Sequence, residues 1–235
     1  MLFKKLRLLT TNRLDIEKKI NKLEISDDAY VKYNNIRIKG KNNVIFIKNR
    51  AIVKNCTIEI NGDNNEIHIY SEKIAKIKIQ SISNNSIIKF ENGSNVQDSA
   101  INLFSNAGEI VIGENTTFTS VNIVCEEEKN RVLIGKNCMF SYGVNIRNTD
   151  SHPIFNENNE IINIGKEVII GNRVWIGEGT TVLKGVSIAD GRVIGAKSLV
   201  TKNIKEAGSI SVGIPSKVIK ENIKWERKFI REITD

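Results

Sequence analysis

The sequence predicts an all-β chain wound as a parallel β-helix, and three observations carry that expectation. Aliphatic side chains recur at every sixth residue through Ile164, Ile170, Ile176, Val182, Ile188 and Ile194, with Val200 next in the series. The same step appears upstream at Ile112, Phe118 and Val124, and again at Ile134, Phe140 and Ile146. Glycine follows the aliphatic residue at Gly165, Gly171, Gly177 and Gly195, where freedom to take positive φ would let the backbone turn a corner. A period of six cannot bury one face of an ordinary helix, but it suits short strands whose inward residue fills one side of a triangular coil.

Each element follows in order. Residues 1–32 read as a basic N-terminal helical segment, with Leu2, Phe3, Leu6, Leu9, Ile16, Ile20 and Leu23 at rough helical spacing. Such a helix would dock on the end of the solenoid or on a neighbouring subunit; a basic amphipathic face also binds anionic lipid, which makes peripheral membrane contact a second expectation. Residues 33–216 read as the β-helix, irregular over 33–111 and regular over 112–204. In the irregular part Ile47 and Ile69 stand 22 residues apart, as do Ile112 and Ile134, which is one coil plus a few turn residues. The Asn pairs at 42 and 43, 64 and 65, and 84 and 85 would do at corners what glycine does later. Residues 126–131 and 147–161 read as loops extruded from corners. Continuous coil through the second would point His152 and Asn158 inward, at about 1 to 3 kcal/mol for each unpaired polar group. Pro215 followed by Ile219, Ile223, Trp225 and Phe229 predicts a short C-terminal helix over 217–235.

With 235 residues, 40% of them hydrophobic and 26% charged, the chain suits a single elongated soluble core. No apolar run approaches the roughly 20 residues that cross a bilayer, so a cytoplasmic location is expected, at the inner face of the membrane if the N-terminal segment binds lipid. Cys56, Cys125 and Cys138 are odd in number and at no metal-ligand or disulfide spacing, which makes them reduced structural residues. The excess of 35 Lys and Arg over 27 Asp and Glu, a net of +8, is compatible with anionic partners. Aromatics at 6% with no basic stripe between stacking rings argue against nucleic acid.

The candidate chemistry lies in the second loop. Of the two histidines, His68 alternates with Ile67 and Ile69 in a strand, where an outward polar residue is structural. His152 sits in an exposed loop beside Pro153, and an imidazole, with an ordinary pKa of about 6.5, is suited to removing a proton from a hydroxyl as that hydroxyl attacks an electrophile. Two histidines are too few for the three imidazoles of a zinc hydration site, and no metal is expected. Three blocks then carry a resemblance: His152-Pro153-Ile154; Asn172-Arg173-Val174-Trp175-Ile176-Gly177; and Ile194-Gly195-Ala196 running through Val200-Thr201-Lys202 to Gly213-Ile214-Pro215-Ser216-Lys217-Val218-Ile219. In order and spacing they resemble the hexapeptide-repeat acyltransferases, in the branch of sugar and capsular glycan O-acetyltransferases.

The resemblance implies a left-handed parallel β-helix, acetyl-CoA as acyl donor and a homotrimer with each site at a subunit boundary. It implies direct transfer to a sugar hydroxyl of a bacterial surface glycan, capsule or lipopolysaccharide, with His152 as general base. Trp175 would line the acceptor pocket, with Asp150, Tyr142 and Asn145 as further acceptor-binding candidates. Gly177 and Ala196 match small positions beside the pantetheine arm; Thr201, Lys202, Lys217 and Lys220 match places that meet the rest of coenzyme A. The polar residue that relatives place one coil ahead of the loop has only Thr119 and Asn122 as candidates here. N-acetylation of a nucleotide-linked amino sugar, and acetylation of a small molecule or antibiotic, are the alternatives.

Overall fold

The computed structural model of the chain describes residues 11–17, 19–48 and 50–233. Short strands alternate among three parallel sheets of nine, eight and ten strands, visited in strict rotation, and this is the triangular coil of a β-helix. Every strand pair but the last is parallel, so each residue sits over its equivalent in the preceding coil. Inward positions are filled by one side chain per rung and are almost fully buried: Ile112, Ile134, Ile170 and Ile188 on the second sheet, Phe118, Phe140, Ile176 and Ile194 on the third. The Phe118 and Phe140 rings meet edge to face at 4.6 Å, an arrangement that aromatic pairs favour.

Coil length changes once along the molecule. Asn35 pairs with Thr57 and Thr117 with Met139, a step of 22 residues; Trp175 pairs with Val193 and Thr181 with Leu199, a step of 18. The 22-residue spacing of Ile47 and Ile69 is thus a true coil. The shortening falls after the long loop rather than at residue 112, because the coils through Phe140 still carry the Asn turns. Asn42, Asn64, Asn85, Asn115 and Asn137 take left-handed φ between 54° and 59°, a region that Asn tolerates better than other side chains. Beside them a buried Asn ladder closes the corner: the backbone N–H of Asn43 donates to Oδ1 of Asn21 at 3.0 Å and that of Asn65 to Oδ1 of Asn43 at 2.9 Å.

Four expectations are corrected. The part of the N-terminal segment within the described residues is not helical: Arg13–Ile16, Lys22–Ile25 and Tyr30–Lys32 are strands of the first coil. Leu14, Ile16, Leu23 and Ile25 pack against the core from alternating strand positions, a pattern that the spacing of Ile16, Ile20 and Leu23 had disguised; residues 1–10 lie outside the described residues. The C-terminal segment is not a helix either. Ser216–Lys220 pairs antiparallel with Ile210–Gly213 on the open edge of the third sheet, and only Ile230–Glu232 forms a 3-10 turn. A helix there would have had no surface to cover, and Ile219 and Phe229 remain exposed. Ile164 is exposed instead of inward, because the loop runs on to the strand Val168–Ile170. Finally, Gly171, Gly177 and Gly195 do not take positive φ; a Cβ at Gly177 would stand 2.6 Å from the backbone N of Ala196 one coil on. Close stacking of coils, not corner geometry, requires that glycine.

Candidate active site

The chain leaves the first sheet at the end of Val144–Arg147 and rejoins the second at Val168–Ile170, so the loop projects from the corner between those sheets. Its base is clamped by Glu127 from the preceding coil, whose carboxylate accepts Thr149 Oγ1–H at 2.8 Å and the Gly165 N–H at 2.6 Å. Within the loop Asn163 Oδ1 accepts the Ile154 N–H at 2.7 Å, while its Nδ2 donates to the His152 carbonyl at 2.9 Å and to Asp150 Oδ2 at 3.0 Å. Lys184, from the next coil, donates to Asp150 Oδ2 at 2.6 Å and to the Asn163 carbonyl at 2.5 Å. The His152 main chain is held by this network. Its ring is exposed and has no hydrogen-bond partner among the described residues.

Asp150 is engaged by the loop itself. The hydrogen bond from Lys184, then that from Asn163, hold its carboxyl below the usual range, since both favour the charged form. Sequence reasoning missed Glu127, Asn163 and Lys184, which lie 25 or fewer and 11 and 32 residues from His152 respectively and share no motif with it; only the fold brings them to one corner. His68 is satisfied locally, between Glu66 at 2.6 Å and the Tyr70 hydroxyl at 3.1 Å.

The other predicted residues lie elsewhere on the prism. Trp175 points outward from the third sheet, 38% exposed, in register with Met139 and Val193. Tyr142, Gly177 and Ala196 lie at the corner between the third and first sheets, with Tyr142 62% exposed. Asn145 is exposed on the first sheet, and its amide donates to the Gly143 carbonyl at 3.1 Å. Thr201 and Lys202 follow the last strand of the first sheet, whereas Lys217 and Lys220 lie on the terminal antiparallel strand; all four are exposed. The loop corner is therefore opposite the sheet that bears Trp175, and one chain does not bring His152 and Trp175 together.

Two surfaces border these positions. An open groove of about 460 Å3 runs along the corner from Lys76 and Lys78 past Ser99 and Ser120 to Gly143 and Asn145, with Asn122 in its wall. The loop carries exposed apolar side chains at Ile154, Phe155, Ile161, Ile162 and Ile164, an unusual concentration for a surface that faces only water. Among the described residues no group of three or more His, Cys, Asp or Glu stands together as a metal site, and no helix is long and apolar enough to cross a membrane.

No family model matches the chain. A polysialic acid O-acetyltransferase of Neisseria meningitidis is 43% identical over 102 residues, which is 43% of this chain and 47% of that protein, so the chain spans less than half the length of this relative. Two solved structures match nearly throughout. One, described as the polysialic acid O-acetyltransferase OatWY, is 32% identical, with 93% of this chain and 91% of that chain covered and a TM-score of 0.59. The other, described as the polySia-specific acetyltransferase NeuO, is 29% identical, with 93% and 88% covered and a TM-score of 0.61.

Proposed function

Because this chain belongs to the hexapeptide-repeat acyltransferases with a left-handed β-helix, in their sugar O-acetyltransferase branch, we propose that it transfers acetyl from acetyl-CoA to a hydroxyl of a bacterial surface glycan. The observation that carries the reading is the anchored loop, which presents an unpaired imidazole to solvent at a fixed place on the solenoid. His152 takes the proton of the acceptor hydroxyl as its oxygen attacks the acetyl carbonyl, and returns the proton to the departing thiolate. A thioester supplies the activated acyl group, so no covalent acyl-enzyme and no metal is needed. Trp175 lines the acceptor pocket, with Tyr142 and Asn145 at its edge, and the groove leading to Asn145 suits an extended glycan better than a single sugar. Asp150 acts by fixing the loop.

The donor residues divide. Exposed Lys202, Lys217 and Lys220 offer positive charge to phosphates at the last coils, and Ala196 is open beside them. Gly177 is already required by the coil above.

The site is completed by a second copy in a homotrimer. The loop corner and the Trp175 sheet lie on opposite sides of one prism, and the apolar loop needs a cover. A head-to-tail contact of loop on a neighbouring third sheet buries both, and three such contacts close a ring. The protein works in the cytoplasm; lipid contact would fall to residues 1–10.

The test is thiol release from acetyl-CoA across a panel of oligosaccharides. His152→Ala should lose about 100- to 10,000-fold in kcat, the usual share of a general base. Full turnover in that variant would refute the mechanism.

A further inference from the structure

The chain after Lys220 turns back along the molecule and runs beside the third sheet. In an extended segment alternate residues face the same way, and Trp225 and Arg227 both face the solenoid. Trp225 is buried; its indole N–H donates to the Arg173 carbonyl at 2.7 Å, and its own carbonyl accepts from the Arg173 guanidinium at 3.2 Å. Arg227 reaches two rungs further, donating to Thr117 Oγ1 and the Asn115 carbonyl at 2.9 Å and to the Cys138 carbonyl at 2.5 Å. The tail is thus tied at three successive coils. Between the ties the Trp225 ring lies 6.0 Å from that of Trp175, tilted by 47°.

We propose that the C-terminal tail is a brace for the acceptor site and that Trp225 is a positioning residue, fixing the Trp175 indole so that its free face meets the sugar. This rests on the reading of Trp175 given above. An outward indole on an edge of two-residue strands has no other ring against it, since its neighbours in register are Met139 and Val193. The Trp225 ring restricts its rotation from one side and leaves the other open, so the ordering is complete before the acceptor arrives. Arg227 and Arg173 hold the tail; the guanidinium of Arg227 is desolvated enough to lower its pKa, and it spends its donors on carbonyls that the third sheet leaves free.

The chain has two tryptophans, so every Trp225 variant leaves Trp175 as the sole indole. Trp225→Phe keeps a ring in contact and Trp225→Ala removes it. Acrylamide quenching of the remaining fluorescence should be about two- to threefold stronger in the Ala variant, and the acceptor KM should rise about three- to tenfold there, the range of one aromatic pair. The donor KM should not change, and Trp225→Phe should recover most of the acceptor affinity. Equal quenching in the two variants, or an acceptor KM in Trp225→Ala equal to that of the wild type, overturns the proposal. If the wild type acetylates no glycan, the functional reading fails, while quenching still decides whether the tail braces Trp175.

Discussion

At the scale of single residues, burial decides chemistry as much as identity does. Cys56, Cys125 and Cys138 are buried and free. Desolvation raises all three thiols, Cys125 to about 12 and Cys138 to about 11, so they stay protonated and unreactive near neutrality. Thiol-specific reagent should titrate none in the native protein and three after denaturation. Gly177 offers a second test. Its Cβ would press on the next coil, so Gly177→Ala should cost about 1 to 3 kcal/mol, as overpacking does, and lower the melting temperature with no donor present. An effect confined to coenzyme A affinity would contradict this. Arg192 is the residue that sequence left unmarked: wholly buried under the last coil, with its Nη1 donating to Ser209 Oγ and its Nε without a partner. Its position in the run Gly191-Arg192-Val193 reads as a surface turn, and only the returning chain at Ser209 covers it.

At the scale of elements, the catalytic loop is held by polar ties rather than by a core. Asp150 ionised is what Lys184 and Asn163 recognise, and its folded pKa is depressed. The tie is therefore present above the ordinary carboxylate value of 3.8 and lost as pH falls through the lower folded value. Protection of loop amides against hydrogen exchange should fall between neutrality and about pH 3, and Lys184→Met should show the loss already at neutral pH, with a lower kcat. Unchanged protection would remove Lys184 as an anchor. The sequence revealed the loop because His152 and Asn158 could not have faced inward, and it revealed the coils because aliphatic steps of six and 22 have no other use. It misread the first coil and the tail. Leu14, Ile16, Leu23 and Ile25 fit two periods at once when strands are only four residues long, and Trp225 binds a carbonyl that no sequence pattern advertises. The grouping of His152 with Trp175 came from resemblance, and the topology separates them within a chain.

At the scale of the whole molecule, the prism has a polar first face and an apolar projecting arm, and the division of site residues between opposite sides makes the assembly the functional unit. Mixing His152→Ala with Trp175→Ala subunits, each nearly inactive alone, should restore activity in about a quarter of the sites if subunits combine at random around a ring. No recovery after co-refolding would place both residues in one chain's site. The uniform rise of the early coils has a separate consequence. Each 22-residue winding sits on the next through the same Asn and aliphatic rungs, so the early stack can lengthen or shorten only by whole windings. Any other insertion within a winding turns buried side chains outward in every strand it displaces. The reach of the molecule along a long acceptor is thereby adjustable in fixed increments, far from the chemistry and without disturbing it.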